Sequence, residues 1–237
     1  MLVLVVDSST PAVTAALADV GADGVLLRAE RVTVDARAHG ELLAPQVDAV
    51  LAEAGARAAD LTAIVAGTGP GPFTGLRVGL VTAASMAQVL DLPAYGVCSL
   101  DALGHAAARS GAPGPGPAAG SGGPVLVASD ARRREIYWAV YDATGARLSD
   151  PAVEAPAAVA ARARDLGARS AVGEGARRYA ETLDLPVRPE PAWPPAYALA
   201  ELAAERIVAG APGEPLTPLY LRRPDAVAAT VRKPVLP

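Results

Sequence analysis

Short runs of apolar residues and segments of helical spacing alternate along this chain. Residues 2–6 form a continuous apolar run rich in valine, which is typical of a strand buried on both faces. A polar turn at residues 7–10 follows, and residues 13–17 and 25–34 can return as the second and third strands of a meander. The chain is therefore predicted to open with three strands that lead into a helix.

Helical spacing begins at residues 41–54, where apolar side chains recur every three or four positions until Gly55 ends the pattern. Pro45 either opens this helix or lies in its first turn, where its missing N–H does no harm. The alternation then continues with predicted strands at 61–66 and 95–98 and a helix at 99–108. Strands and helices in this order predict an α/β fold.

The segment 67–90 begins as a loop of alternating glycine and proline and continues as a long amphipathic helix. Pro70 and Pro72 remove two N–H donors, and Leu76 and Arg77 follow Gly75 where a phosphate-binding P-loop would carry Lys and Ser or Thr. A dinucleotide fingerprint is also a poor match. The loop is therefore not predicted to be a nucleotide-binding loop of either known type.

Small residues follow each other every four positions along this helix, for which Thr74 is the expected N-cap. They are Gly75, Gly79, Ala83 and Ala87, here called the small-residue ridge. Glycine within a helix costs about 1 kcal/mol relative to alanine, so the ridge predicts close approach of another backbone. Packing within the domain and contact with another chain would both explain it, and Leu76, Leu80, Ala84 and Val89 or Leu90 can cover the core side.

The second half of the chain repeats the first. A Gly- and Pro-rich stretch, residues 110–124, predicts an exposed linker. After it come strands at 125–129 and 135–141, a helix at 157–166, a strand at 170–173 and helices at 176–183 and 196–208. Two strand hairpins that each open with Asp at a strand end, followed by helices, predict the duplicated fold of the actin, sugar-kinase and Hsp70 superfamily (ASKHA). The predicted domains, of ββαβ type, are 1–109 and 125–195, with 196–237 packing back on the first.

Composition narrows the classes of function. Hydrophobic residues make up 51% of the chain, and Lys233 is its one lysine. A net charge of −4 gives no broad basic surface, which argues against a chain that grips nucleic acid by itself. The single cysteine, Cys98, excludes an internal disulfide. With no signal-peptide pattern and no apolar run near the 20 or so residues that span a bilayer, a cytoplasmic protein without membrane contact is predicted.

Candidate catalytic residues are few. Asp7, with Ser8, Ser9 and Thr10, is a candidate for a phosphate-facing turn and Asp130 for a second one, although a polar turn that satisfies backbone amides explains the same residues. His39 and His105 lack the spacing of a metal site, and no G-x-S-x-G elbow is present. Arg132, Arg133 and Arg134 could contact phosphate or RNA, but a solvated hairpin turn is the favoured interpretation. No complete catalytic set is found, so an enzyme is not predicted.

Several segments, in their order, resemble the signature segments of the bacterial family of tRNA threonylcarbamoyladenosine biosynthesis proteins called TsaB or YeaZ. They are VVDSST, AHGELLAP, GTGPGPFTGLRVG, GVCSLDAL, SDARRREIYWAVY and LYLRRPDA. The resemblance implies an actin-like fold without catalysis of its own. It also implies pairing with the catalytic paralogue TsaD, which modifies the adenosine beside the anticodon of ANN-decoding tRNAs, with the ATPase TsaE, and with a second copy of the chain. No firmly bound cofactor is implied; ATP or ADP could bind in the complex, and tRNA would be met only through it.

The resemblance also carries residue expectations. The paralogue holds a metal through two histidines on one helix, whereas here Leu43 and Ala44 stand where a second histidine would accompany His39, so no metal is expected. Gly40, Pro72 and Arg134 depart from the usual serine, serine and glycine. The partner interface is expected on helices 41–54 and 75–90, at His39, Glu41, Leu42, Gly75, Leu76, Arg77, Gly79, Leu80, Ala83 and Ala87. The alternative is an active ATPase or kinase that uses Asp7 and Asp130, or a glycoprotease-like peptidase.

Overall fold

The computed structural model describes residues 1–110 and 123–222. The first part of the chain contains β1 Leu2–Asp7, β2 Ala12–Gly21, β3 Gly24–Val34, α1 His39–Glu53, a 3-10 turn Ala58–Asp60, β4 Ala63–Gly67, α2 Phe73–Leu90, β5 Ala94–Val97 and α3 Ser99–Ser110. The second contains β6 Val125–Asp130, β7 Ile136–Tyr141, β8 Ala152–Glu154, α4 Pro156–Asp165, β9 Ser170–Val172, α5 Glu174–Arg178, α6 Ala180–Leu183 and α7 Ala196–Val208.

Two sheets carry the fold, and the second repeats the first with one strand fewer. The first sheet has the order β3-β2-β1-β4-β5, with β1, β2 and β3 antiparallel and with β4 and β5 parallel to β1. The second has the order β8-β7-β6-β9, with the same pattern of directions. A helix, α1 or α4, joins the third strand of each sheet to the fourth. This repetition confirms the predicted duplicated, actin-like α/β fold.

Helices and sheets alternate in layers, because each sheet is apolar on both faces. One face of the first sheet packs on α1 and α2, and its other face packs on α3 and α7. One face of the second sheet packs on α4, α5 and α6. Helix α3 also serves the second sheet: Ala102 and Ala106 face the first core, whereas Leu100 and Leu103 join the core against β6 and β7. A single helix therefore lies between the two sheets.

The chain after α7 contacts both halves of the molecule. The Leu219 N–H donates to the Thr68 carbonyl at 2.8 Å, next to β4. Glu214 accepts a hydrogen bond from the Gly96 N–H at 2.9 Å. Arg222 then pairs with Glu135 and donates to the Ala131 carbonyl at the β6–β7 hairpin. The segment 214–222 thus joins the edge of the first sheet to the tip of a hairpin in the second.

Several local expectations are wrong. Pro45 is the seventh residue of α1, in its second turn, rather than in the first. The N-cap of α2 is Pro72, so Thr74 lies inside the first turn. Ala84 is exposed rather than part of the core; of the alternatives Val89 and Leu90, Val89 is exposed and Leu90 packs against the core. The helix expected at 176–183 is broken at Tyr179 into α5 and α6, and strand β8 was not predicted.

Parts of the predicted domain plan lie outside the described residues. They are residues 111–122, within the expected linker 110–124, and residues 223–237, at the end of the expected segment 196–237. The predicted domain boundaries therefore stay a prediction.

Helix α2 is, within residues 1–110 and 123–222, the one helix whose length and composition would allow it to cross a membrane. Its apolar character has another explanation in the fold, because Leu76, Leu80 and Ala83 pack in the core beside the first sheet.

Candidate cleft and helix surface

The polar turn after β1, residues 7–10, is buried almost completely. The Asp7 carboxylate accepts hydrogen bonds from the Ser9 N–H at 3.0 Å, the Ser9 hydroxyl at 2.8 Å and the Ser99 hydroxyl at 2.7 Å. Burial raises the pKa of Asp7, and these hydrogen bonds act against that rise. The carboxylate is therefore committed to groups of its own chain.

Ser8 joins this turn to the beginning of α2. Its hydroxyl donates to the Gly75 carbonyl at 2.8 Å and accepts from the Gly79 N–H at 2.9 Å. These are the two groups that a regular i to i−4 helix bond would connect, so Ser8 bridges them from outside the helix. The first turns of α2 are thus fixed to the end of β1.

Glycine is required where this helix and its preceding loop approach the polar turn. A Cβ at Gly67 would lie 1.8 Å from Asp7 Oδ2, and a Cβ at Gly79 would lie 2.4 Å from Ser8 Oγ. The backbone that approaches the small-residue ridge therefore belongs to the same chain. Ala83 and Ala87, further along the ridge, are buried in the core. Packing within the chain therefore accounts for the ridge, and its assignment to a partner interface stays a prediction.

His39 is also occupied within the chain. Its Nε2 lies 2.8 Å from the Thr10 carbonyl, and since a carbonyl oxygen only accepts, Nε2 must carry the hydrogen. The side chain is 8% exposed, so little of its surface is available to a partner, and its expected place in the interface stays a prediction. No group of three or more His, Cys, Asp and Glu side chains that could hold a metal is found in the described part of the chain.

Asp130, the second predicted carboxylate, lies at the end of β6 in the other sheet. Its N–H donates to Glu174 Oε1 at 2.6 Å, and its Oδ2 lies 3.7 Å from Arg178 and 4.0 Å from Arg132. Burial raises the pKa of Glu174, which the hydrogen bond from Asp130 opposes. No hydrogen bond or ion pair between described residues joins Asp130 to Asp7. The two carboxylates do not form one site by direct contact.

The hairpin between β6 and β7 holds three consecutive residues in left-handed backbone conformation. Arg132, Arg133 and Arg134 have φ angles of 63°, 52° and 62°. This conformation costs a residue with a side chain about 1–2 kcal/mol, which glycine avoids. The turn is closed by hydrogen bonds between Ala131 and Glu135 and between Glu135 and Arg132.

A small cavity of about 160 Å³ opens between the two halves of the molecule. Ser8, Thr10, His39 and Gly75 line it from the first half, and Arg132 lines it from the second. Sites that enclose a whole small ligand usually measure about 300–1,000 Å³. This cavity suits water or a small ion better than a nucleotide.

The expected partner interface is only partly on the surface. Glu41 and Arg77 are exposed and Leu42 and Gly75 are half-buried, whereas His39, Leu76, Gly79, Leu80, Ala83 and Ala87 are buried. The exposed face of α2 instead presents Phe73, Val81 and Val89, with Val81 61% and Val89 82% exposed. The sequence had placed Val89 on the core side as one of two alternatives and had given Phe73 and Val81 no role.

Tyr220, which had no predicted role, packs against the beginning of α2. Tyr220 stacks on Phe73 with ring centroids 5.2 Å apart, and its hydroxyl accepts a hydrogen bond from Arg77 Nε at 3.0 Å. The Arg77 guanidinium in turn lies 4.2 Å from the centre of the Phe73 ring. Tyr220 thereby covers part of the end of α2.

Comparison with known proteins places this fold and site in a family. The family model described as TsaD, tRNA N6-adenosine threonylcarbamoyltransferase, matches residues 32–201. An uncharacterized protein of Mycobacterium tuberculosis is 47% identical over 228 residues, which cover 94% of this chain and 93% of that protein. The protein of Escherichia coli K12 named tRNA threonylcarbamoyladenosine biosynthesis protein TsaB is 33% identical over 147 residues, 60% of this chain and 55% of that protein.

A solved structure agrees with these sequence matches. YeaZ from Pseudomonas aeruginosa is similar with a TM-score of 0.71 and 30% identity, over 93% of this chain and 99% of that chain. The two related sheets and the buried Asp turn define a protein of the actin-like superfamily. Since the similar regions extend over nearly the whole chain, the chain belongs to the TsaB/YeaZ family.

Proposed function

We propose that this chain takes part in the biosynthesis of threonylcarbamoyladenosine in tRNA as a subunit without catalysis of its own. It pairs with the catalytic paralogue TsaD, and TsaE joins the complex that modifies the adenosine beside the anticodon of ANN-decoding tRNAs. The family supports the pathway. A cytoplasmic location follows from this role.

The buried polar turn is the observation that carries the proposed absence of catalysis. An ATPase or kinase of this superfamily needs carboxylates and turn amides that are free for metal and phosphate. Here Asp7 is occupied by Ser9 and Ser99, and the Ser8 hydroxyl is occupied by α2. Opening this turn to a nucleotide would break several buried hydrogen bonds, which supports a role other than phosphoryl transfer.

The outer surface of α1 and α2 is the proposed site of pairing. Val81 and Val89 expose apolar side chains on α2, and Leu42 lies half-buried on the neighbouring helix α1. Helices of this kind can bury their apolar faces against the related helix pair of the paralogue, or against a second copy of this chain. We propose the paralogue as the functional partner and the homodimer as a competing state of the same surface.

The function is tested by reconstitution. Purified TsaD and TsaE are incubated with threonylcarbamoyl-AMP and an unmodified ANN-decoding tRNA, with and without this chain, and modified nucleoside is measured by mass spectrometry. Modification is expected to depend on the chain, and the chain alone should neither hydrolyse ATP nor transfer the group. ATP turnover by the chain alone that is lost in Asp7→Ala would establish an enzyme instead.

The proposed pairing surface on α2 is tested with substitutions at two residues that are similarly exposed, Val81 and Leu26. Val81→Glu places a carboxylate on the outer face of α2, and we expect pairing with TsaD to weaken at least about tenfold, because a charge buried without a partner is costly. Leu26→Glu changes a 65% exposed residue on β3 in the same way and should pair normally. Sedimentation of the mixtures measures both. Equal pairing by the two variants would place the interface elsewhere.

A further inference from the structure

A second, larger cavity of about 470 Å³ lies on the far side of the second sheet from α3. It is lined by Arg134 at the β6–β7 hairpin, by Arg178, Tyr179 and Thr182 of α5 and α6, and by residues 155–157 at the beginning of α4. The lining includes two guanidinium groups and two hydroxyl groups but no carboxylate. Its chemistry therefore favours an anion.

The position of the Arg134 side chain suits ligand binding, because no contact of this side chain with a described residue stabilises the fold. Its side chain is exposed and makes no hydrogen bond or ion pair with any residue in the described parts of the chain. Its backbone is held in left-handed conformation, φ 62°, which an arginine adopts at a cost that no contact of its side chain offsets. Its guanidinium is available at the edge of the cavity.

Arg178 supplies the second cation. Its Nη1 lies 3.7 Å from Asp130 Oδ2, which is too long for a hydrogen bond, and its guanidinium stands 5.8 Å from the centre of the Tyr179 ring. The Asp130 carboxylate is shared with Arg132 at 4.0 Å. The Asp130 carboxylate thus attracts the Arg178 guanidinium without accepting a hydrogen bond from Nη1, so this N–H can donate to a ligand.

The beginning of α4 adds an uncapped helix end. This ten-residue helix starts at Pro156, and Ala155 at the N-cap position offers no side-chain acceptor. The Ala157 N–H donates to no acceptor among the described residues, whereas the Ala158 and Val159 N–H groups donate to the Ala155 carbonyl. A helix N-terminus carries partial positive charge and suits the oxygens of a phosphate group.

We propose that this cavity binds a phosphate group of an RNA backbone. Arg134 and Arg178 would pair with its oxygens from two sides, and the Ala157 N–H would donate from the third. A surface cavity of this kind leaves room for a continuous chain to pass, which a phosphodiester requires. The assignment of RNA rests on the proposed function in tRNA modification; the phosphate chemistry comes from the cavity itself.

Arginine substitutions in the full-length chain test the proposal. Binding of fluorescent tRNA is measured by anisotropy at several salt concentrations, with the chain alone and with TsaD. Arg134→Gly and Arg178→Gln should each weaken binding severalfold and lower the slope of log affinity against log salt by about one phosphate contact. The matched control is Arg164→Gln on α4, which loses the same charge from a residue that pairs with exposed Asp184. It should bind like the wild-type chain.

Arg134→Gly separates binding from folding. Glycine relieves the left-handed backbone, so the variant should unfold about 2–4 °C higher while it binds tRNA more weakly. Inorganic phosphate and ATP, titrated in parallel, distinguish the source of the phosphate. If the variants lose affinity for these small ligands but keep wild-type affinity for tRNA, RNA is the wrong ligand.

The outcomes separate this proposal from the proposed function. Equal tRNA affinity and salt slope in Arg134→Gly, Arg178→Gln and Arg164→Gln would refute the cavity as an RNA site, even if modification still depends on the chain. If modification does not depend on the chain, the proposed function fails. Loss of tRNA affinity in the two cavity variants with the chain alone would still support the site.

Discussion

The contact between Ser8 and Gly79 predicts a strong energetic coupling between the polar turn after β1 and helix α2. In Gly79→Ala, the new Cβ would lie 2.4 Å from Ser8 Oγ, so the hydroxyl must leave its position between Gly75 and Gly79. A buried hydroxyl left without partners costs about 1–3 kcal/mol. Alanine recovers about 1 kcal/mol of helix propensity. We therefore expect Gly79→Ala to lower the free energy of unfolding by about 1 kcal/mol.

The residue at position 8 decides whether Gly79→Ala raises or lowers the free energy of unfolding. In Ser8→Ala the hydroxyl is absent, and the Cβ of residue 8 would lie 3.4 Å from the new Cβ, a distance that needs little adjustment. Gly79→Ala in that background should stabilise the protein by about 1 kcal/mol through helix propensity alone. The two effects differ by about 2 kcal/mol, which falls within the range of couplings between residues in contact.

Urea unfolding of the wild-type chain, the two single variants and the double variant measures this coupling. Gly40→Ala is the control: Gly40 lies in α1 and a Cβ there meets nothing within 4 Å, so the substitution should stabilise the protein by up to about 1 kcal/mol through helix propensity alone. Sedimentation of each variant shows whether self-association changes. A coupling near zero, or a loss of association without a change in stability, would refute the internal contact and restore the ridge as a subunit interface.

Two further predictions concern buried titratable groups. Burial raises the pKa of Asp7, so the folded protein binds more protons than the unfolded chain, and this contribution to stability is lost as pH rises from about 4 through the folded pKa. Asp7→Asn should therefore gain stability relative to the wild type as pH rises above about 4 in urea titrations. A difference in stability that does not depend on pH would contradict this. Burial raises the pKa of the Cys98 thiol from 9.0 to about 11, so the fraction of thiolate falls about a hundredfold. The native protein should therefore react slowly with a disulfide reagent at pH 8, and the unfolded protein in urea should react fast. Rapid reaction of the native protein would show that the thiol is accessible and ionised.

The sequence was sufficient for the elements that depend on local pattern. The valine-rich runs at β1 and β6 and the hairpins after them predicted the duplication, because a strand buried on both faces needs a continuous apolar run. Helix α7 was predicted with its observed ends, Ala196–Val208, since Pro195 precedes it and apolar residues recur along it. Strand β8, with three half-buried residues, carries no such pattern.

The face of α2 was harder to assign. Leu76 lies three positions before Gly79, and Leu80 lies three positions before Ala83, so the leucines border the ridge, and the structure buries them together with it. From the sequence, the ridge was open to either internal packing or a partner, and Leu76 and Leu80 were expected both on the core side and in the partner interface. The spacing along the sequence shows that the leucines and the ridge lie side by side on the helix, but it does not show which group packs against the glycines.

The sequence by itself determined the α/β class, the duplication and the family, because periodic apolar runs and an ordered set of motifs are local properties of the chain. Only the tertiary structure decided what the glycines accommodate. Ser8 and Gly79 are 71 positions apart, and their contact exists because β1 and α2 pack side by side. The same holds for Arg134 and Arg178, which line one cavity only because the hairpin, α5 and the beginning of α4 meet there. Both the close approach of Ser8 to Gly79 and the pairing of two arginines in one cavity depend on distances in space, which spacing along the chain does not encode.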